Sequence, residues 1–372
     1  MDIFLNILFL VIGMVLLIKG ADFFVDGASA VARRFKVPAM FIGLTIIALG
    51  TSLPELSVSV ASAIKGSTDM SAGNIVGSNM ANILLILGLV AVIKPVPLTQ
   101  ASKKIDFPFL MGVTALLLIF CADSILEGSG MANIVGRTES LVLLATLAIY
   151  MTILILNAKK ERAQVAVFEG ANKVEPIAPT TKTETQKAVK ANAKTATKNV
   201  EETAEEVKEQ PKEEKKEKEL KIWQIILYIV LGLAGVVFGA ECVCTTAQFL
   251  ALKMGMSEAL VGLTIVAIGT SLPELTTSII AARKGENELA LGNVIGSNIM
   301  NIALILGVVG VIKPVPVSTT ILTDMAILFV FTTIFSILCM TSKKSVSRTK
   351  GAIFIAMYFA YLTFAIVRNY CF

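Results

Sequence analysis

Apolar residues run along this chain in long blocks, not in the alternating or one-in-3.6 stripes of a soluble fold. Blocks of about 18 or more such residues recur over most of its 372 positions, each long enough to cross hydrocarbon as a helix. The pattern predicts about ten spans, at roughly 2–30, 38–64, 70–92, 105–122, 138–157, 222–252, 257–282, 289–312, 322–341 and 351–368. The first run, Ile3–Ile18, has only Asp2 before it and no small-residue cleavage site after it. It is therefore expected to be a span and not a cleaved leader, which would carry a basic start. The fold class follows: an all-α polytopic membrane protein.

Between the fifth and sixth blocks the pattern changes. Residues 159–220 are rich in Lys, Glu, Thr and Ala and nearly free of aromatics. Such a stretch buries too little apolar surface to offset its ordering entropy, so a disordered or loosely helical charged linker is expected. The chain then divides into a first five-helix repeat at 1–158, the linker, and a second repeat at 221–372.

Composition narrows the chemistry. The chain is 55% hydrophobic and 16% charged, with mean hydropathy +0.77 and net charge +5. The basic excess suits loops facing an anionic leaflet; no basic patch interleaved with aromatics points to nucleic acid. Cys121, Cys242, Cys244, Cys339 and Cys371 lie in or beside apolar runs and are expected to be small buried hydrophobes. Cys242 and Cys244, two apart on a helix, point to different sides. Histidine is absent, which removes the commonest transition-metal ligand and the commonest catalytic base. Any cation handled here is held by oxygen, favouring Na⁺, Ca²⁺ or Mg²⁺.

The two halves are copies. GLTIIALGTSLPEL at Gly43–Leu56 returns as GLTIVAIGTSLPEL at Gly262–Leu275, and a constant offset of 219 makes 34 of the 55 positions from Gly43 to Pro97 identical without a gap. Loop charge sets their orientation. With the first span running inward, Arg33, Arg34, Lys36, Lys94, Lys103, Lys104, the linker, Arg283, Lys284, Lys343, Lys344, Arg348 and Lys350 fall inside. The outer loops keep little more than Lys65, Arg137, Lys253 and Lys313, as the positive-inside rule requires. Five spans per half then make the second repeat enter from the opposite face, an inverted topology. Both termini are expected outside the cell or inner membrane, and the linker in the cytoplasm.

The chemistry concentrates in the repeated motif. Gly50-Thr51-Ser52-Leu53-Pro54-Glu55 puts a helix breaker and a carboxylate in the middle of a span. Such a break persists only where it lines a cavity or packs in protein, and freed carbonyls can then hold a cation. Thr51, Glu55 and Ser59 recur at i, i+4 and i+8, with Ser52 beside them; Thr270, Ser271, Pro273, Glu274 and Ser278 repeat the set. The neighbouring spans add Asn74, Ser78 and Asn82, and Asn293, Ser297 and Asn301. Two carboxylates balance one Ca²⁺, and hydroxyl and amide oxygens supply neutral ligands. The competing reading makes Ser, Thr and Asn interhelical glue, and it covers Gly73, Gly77, Gly292, Gly296, Asn79 and Asn298 at least as well. It fails for Glu55 and Glu274, because no Lys or Arg lies within these spans to pair with them. Asp22, Asp26 and Glu241 lie nearer the membrane surface and are expected to be solvated or paired with Lys19.

GTSLPEL followed by GNIVGSNMAN, then by GNVIGSNIMN, resembles the paired α-repeats of the cation/calcium exchanger superfamily, and within it the bacterial and archaeal sodium/calcium antiporters. The resemblance covers nearly all of the chain outside the linker. It implies ten helices in two inverted halves, with ion sites enclosed by the second, third, seventh and eighth. By position it implies that Glu55 and Glu274 hold Ca²⁺ and help bind Na⁺. Thr51, Ser52, Thr270 and Ser271 would add Na⁺ ligands, with the carbonyls of Ala48 and Ala267; Ser78 and Ser297 would complete flanking sites. Asn82 would line the centre, opposite Asn301, where some relatives carry an aspartate.

The expected function is Na⁺/Ca²⁺ antiport by alternating access, with both ions as cargo, the bilayer as surroundings, and neither a cofactor nor an obligate protein partner implied. Coupling to K⁺ or H⁺, or carriage of another divalent ion, is the nearest alternative. An intramembrane hydrolase using Ser52 or Ser271 lacks a His or mid-span Lys as base.

Overall fold

Hydrocarbon offers the backbone no partner but itself, so long apolar blocks fold as helices. The computed structural model describes residues 3–65, 68–122, 133–172, 220–255, 267–342 and 344–371, and most of these are helical. In chain order the helices are α1 (Ile3–Phe35), α2 (Ala39–Thr51), α3 (Leu53–Lys65), α4 (Ser71–Ile93), α5 (Phe107–Phe120) and α6 (Arg137–Asn172). The second half contributes α7 (Ile222–Lys253), α8 (Ala267–Thr270), α9 (Leu272–Lys284), α10 (Asn287–Ile312), α11 (Thr319–Met340) and α12 (Arg348–Cys371).

Seven of these are long and apolar enough to cross a membrane: α1, α4, α6, α7, α10, α11 and α12. The pair α2 and α3, bent by 44°, makes an eighth. The span expected at 105–122 is α5, entered through a π-helical turn at Ser102–Asp106. The span expected at 257–282 is described only from Ala267, so the first residues of its copied motif lie outside the described residues, as does 173–219 of the expected linker. The helix of the fifth span also continues past the expected boundary to Asn172, through a run of Lys, Glu, Arg and Ala that favours helix.

The chain divides into two compact units. Residues Met1–Arg162 and Lys221–Phe372 form one, so both repeats share a single core; Ala163–Leu220 form the other. Within the first unit, α4 and α10 are the most enclosed spans, and Met80, Leu84, Leu87, Ile295, Ile299 and Leu306 are fully buried there. Around them, α1 and α7 lie against each other along most of their length. Glycines allow this approach: a Cβ on Gly232 would stand 2.4 Å from the Phe24 amide nitrogen, and one on Gly239 2.5 Å from that of Leu17. Their other faces expose Val15, Trp223, Val230 and Phe238, as lipid contact requires.

Two short antiparallel pairs tie the halves together at opposite ends. β1 (Val96–Pro97), after α4, pairs with β4 (Ser345–Val346), before α12. β2 (Ile134–Val135), before α6, pairs with β3 (Val315–Pro316), after α10. β1 and β3 are the same Val-Pro of the two Lys-Pro-Val-Pro copies, yet they sit at opposite ends of the bundle. That is what inverted repeats demand.

Candidate ion-binding site

The repeated motif breaks its helix at the serine. Ser52 separates α2 from α3 with φ −84° and ψ 5°, and Ser271 separates α8 from α9 with φ −91° and ψ 7°. Pro54 and Pro273, two residues on, cannot donate to the carbonyls of Gly50 and Gly269, so the helix restarts after each serine. Leu56 and Leu275 resume it by donating to the carbonyls of Ser52 and Ser271. Glu55 and Glu274 thus stand in the first turn of a new helix, where the positive end of the helix dipole favours a carboxylate.

Both glutamates are fully buried and lie within electrostatic reach of each other. Residues from opposite halves meet at them. The Ser52 hydroxyl donates to Glu274 Oε1 at 3.0 Å, and Ser297 Oγ to the same oxygen at 3.4 Å. Thr51 donates to Asn293 Oδ1 at 3.0 Å and lies 3.5 Å from Ser297 Oγ. Asn293 in turn donates to Ser278 Oγ at 2.9 Å and to the Glu274 carbonyl at 3.3 Å. The copy on the other side is thinner: Thr270 donates to Asn74 at 3.3 Å, and Asn74 to Ser59 at 3.3 Å.

The π-helical turns Ala81–Ile86 in α4 and Asn301–Leu306 in α10 bring Asn82 and Asn301 into the buried interior. Such turns recur at functional sites because they re-aim side chains within a helix. Asn301 donates to Asn79 Oδ1 at 3.1 Å. The Ala48 carbonyl, at the end of α2, accepts from the Ser52 amide at 3.1 Å and from Thr51 Oγ1 at 3.5 Å. Across the site the Ser271 amide reaches the Ile268 carbonyl, one residue nearer than the matching Ala267.

Among the described residues, several buried oxygens here have no hydrogen-bond partner: both carboxylate oxygens of Glu55, Oε2 of Glu274, the hydroxyls of Ser78 and Ser271, and the side-chain oxygens of Asn82 and Asn301. Buried polar groups of a folded protein are normally satisfied, and clustered exceptions mark a place built for something else. Two acids ringed by neutral oxygens match the ligand chemistry of Na⁺ or Ca²⁺. Among the described residues no group of three or more His, Cys, Asp or Glu gathers to hold a metal.

Sequence reasoning left Asn293 and Asn74 undecided between ligand and glue; the structure makes Asn293 the hub that joins Thr51, Ser297 and Ser278. Sequence reasoning also expected Asp22 and Asp26 to be solvated or paired with Lys19. Lys19 does lie 3.9 Å from Asp22, but Lys284 reaches both acids more closely. Cys121 and Cys339 are buried, while Cys242 faces the Phe9 carbonyl and Cys244 faces Gly269, so that pair does point apart.

Comparison with known proteins fits this geometry. The sodium/calcium exchanger protein family matches residues 5–156 and 224–367, both repeats without the linker. The chain belongs to that family. The exchanger is thus a transporter of the cation/calcium exchanger superfamily and not an enzyme. It is 36% identical over 308 residues to the putative antiporter CaxA of Alkalimonas amylolytica, covering 82% of this chain and 81% of that one. It is 32% identical over 357 residues to the sodium/calcium exchanger MaX1 of Methanosarcina acetivorans, covering 96% and 97%. Its fold superimposes on the sodium-calcium exchanger NCX_Mj, in crystals soaked with zero Na⁺ and Ca²⁺, with a TM-score of 0.72 at 26% identity, over 97% of this chain and 99% of that one.

Proposed function

We propose that the exchanger moves Na⁺ against Ca²⁺ by alternating access, the two ions competing for Glu55 and Glu274. The observation that carries this reading is the buried Glu55 carboxylate, both oxygens unpartnered, set beside a second carboxylate from the other repeat. Thr51, Ser52, Thr270 and Ser271, the carbonyls of Ala48 and Ala267, and Ser78, Ser297, Asn82 and Asn301 are the neutral ligands. Two bare carboxylates in a low dielectric are costly, so the empty site resists crossing while either cation relieves the charge. Exchange is obligatory for that reason. The loops bearing Arg33, Lys94, Lys284 and Arg348 face the cytoplasm together with 159–220, and both termini face outward.

The test is ⁴⁵Ca²⁺ uptake into proteoliposomes driven by an outward Na⁺ gradient. Glu55→Gln and Glu274→Gln are each expected to abolish it, and normal flux in either variant sinks the assignment. Substituting K⁺ in the buffers and stepping the pH separates Na⁺ coupling from K⁺ or H⁺ coupling; competition by other divalent ions measures selectivity.

A further inference from the structure

Besides the packing of Phe24 and Leu233 on Gly50, the paired helices α1 and α7 meet the rest of the bundle in a charged contact at one end. Lys284, the last residue of α9, sends its ammonium to Asp26 Oδ1 at 2.7 Å, to Asp22 Oδ1 at 3.3 Å and to the Asp22 carbonyl at 2.9 Å. Asp22 and Asp26 stand four apart on α1 and so share a face. The helix carrying Lys284 stops at the next residue, where Gly285 takes φ +84°, which fixes the lysine at the helix end. A few residues away, Arg33 of α1 lies 3.6 Å from Glu286.

This is also the end at which α2 and α10 are pressed together. A Cβ on Gly292 would stand 2.7 Å from the Met40 carbonyl oxygen, and one on Gly296 2.6 Å from Ala48 Cβ. The opposite end holds the copies of α1, α9 and α10, which are α7, α3 and α4. With the offset of 219, Lys65 at the end of α3 corresponds to Lys284, Glu241 on α7 to Asp22, and Gly73 and Gly77 to Gly292 and Gly296. There the arrangement differs. Glu241 is exposed and accepts from Thr245 on its own helix at 3.4 Å; Lys65 and Gly73 are exposed, and among the described residues nothing lies within 4 Å of where a Cβ on Gly73 or Gly77 would sit.

We propose that Lys284 with Asp22 and Asp26, and Lys65 with Glu241, are two alternating clasps, one at each end of the bundle, of which this structure shows the first closed and the second open. Each clasp fastens the α1–α7 pair to the end that is sealed. The groups are partly exposed, so water can take over their charges when a clasp opens. Lys19, on the same helix as Asp22, gives that acid a standby partner. Such a contact holds without welding.

The proposal rests on alternating access and is tested with the exchange assay itself. The five natural cysteines are replaced, and this cysteine-free protein must first exchange Na⁺ for Ca²⁺; failure there counts against the exchange reading, not the clasps. Two pairs are then introduced, Asp26→Cys with Lys284→Cys, and Glu241→Cys with Lys65→Cys. Ion-paired side chains hold their backbones too far apart for a direct disulfide, so a short reducible bis-methanethiosulfonate linker bridges them. Bridging either pair is expected to stop exchange, with recovery on reduction. In a protein carrying both pairs, one bridge is expected to exclude the other in the same molecule. Lys284→Gln is expected to shift the half-saturating Ca²⁺ concentration at the clasped face by up to about five-fold, the population change one exposed ion pair can supply. Exchange at an undiminished rate with either pair fully bridged, or both bridges forming together in one molecule, overturns the proposal.

Discussion

At the scale of single residues, the centre of the site is set by amides where a third acid could stand. Asn301 keeps the position neutral at every pH, while its amide is tied to Asn79. Asn301→Asp adds a carboxyl that is neutral in acid and charged in base. The variant is expected to track the parent at low pH, where the carboxyl is neutral, and to diverge from it as pH rises and the carboxyl becomes charged. The ratio of variant to parent ⁴⁵Ca²⁺ uptake across pH checks this; a flat ratio argues that position 301 does not face the ion. The acids and hydroxyls of the site were legible in the sequence because a polar residue inside an apolar block is costly and so conspicuous. Asn293 was not. An amide serves as glue or as ligand with the same spacing, and only the fold reveals that it gathers Thr51, Ser297 and Ser278 around Glu274. Lys284 was hidden for another reason: its partners are 258 and 262 positions away in sequence.

At the scale of elements, glycine decides which helices touch. Gly232 lies so close to α1 that any side chain displaces the backbone of Phe24. Gly232→Val is expected to cost roughly 1–3 kcal/mol, the usual penalty of overpacking, and to lower the melting temperature in detergent. A variant as stable as the parent would show that α1 and α7 part easily. Gly77 and Gly296 offer a sharper comparison, being the same residue of the two repeats. Gly296→Ala meets Ala48 and is expected to disturb stability and exchange alike, whereas Gly77→Ala meets nothing among the described residues and is expected to leave stability unchanged. Hydrophobic block length predicted the helices well, since in hydrocarbon nothing else satisfies the backbone. It predicted boundaries less well: the fifth span's helix runs on to Asn172 because charged, helix-favouring residues continue it beyond the apolar block.

At the scale of the whole molecule, inverted topology was inferred from loop charge and is expressed in hydrogen bonds, with β1 and β3, identical in sequence, at opposite ends. The two halves share 34 of 55 residues from Gly43 to Pro97, yet Gly292 and Gly296 are packed tight while Gly73 and Gly77 meet no neighbour among the described residues. The same glycines of one amino-acid pattern therefore sit in two different surroundings within a single chain. If the halves traded shapes, the result would be nearly the same object turned over in the bilayer, and it would need no second folding solution. What the halves share then specifies the pair of shapes. In such a trade, which half wears which would be set by the residues where the copies have drifted apart.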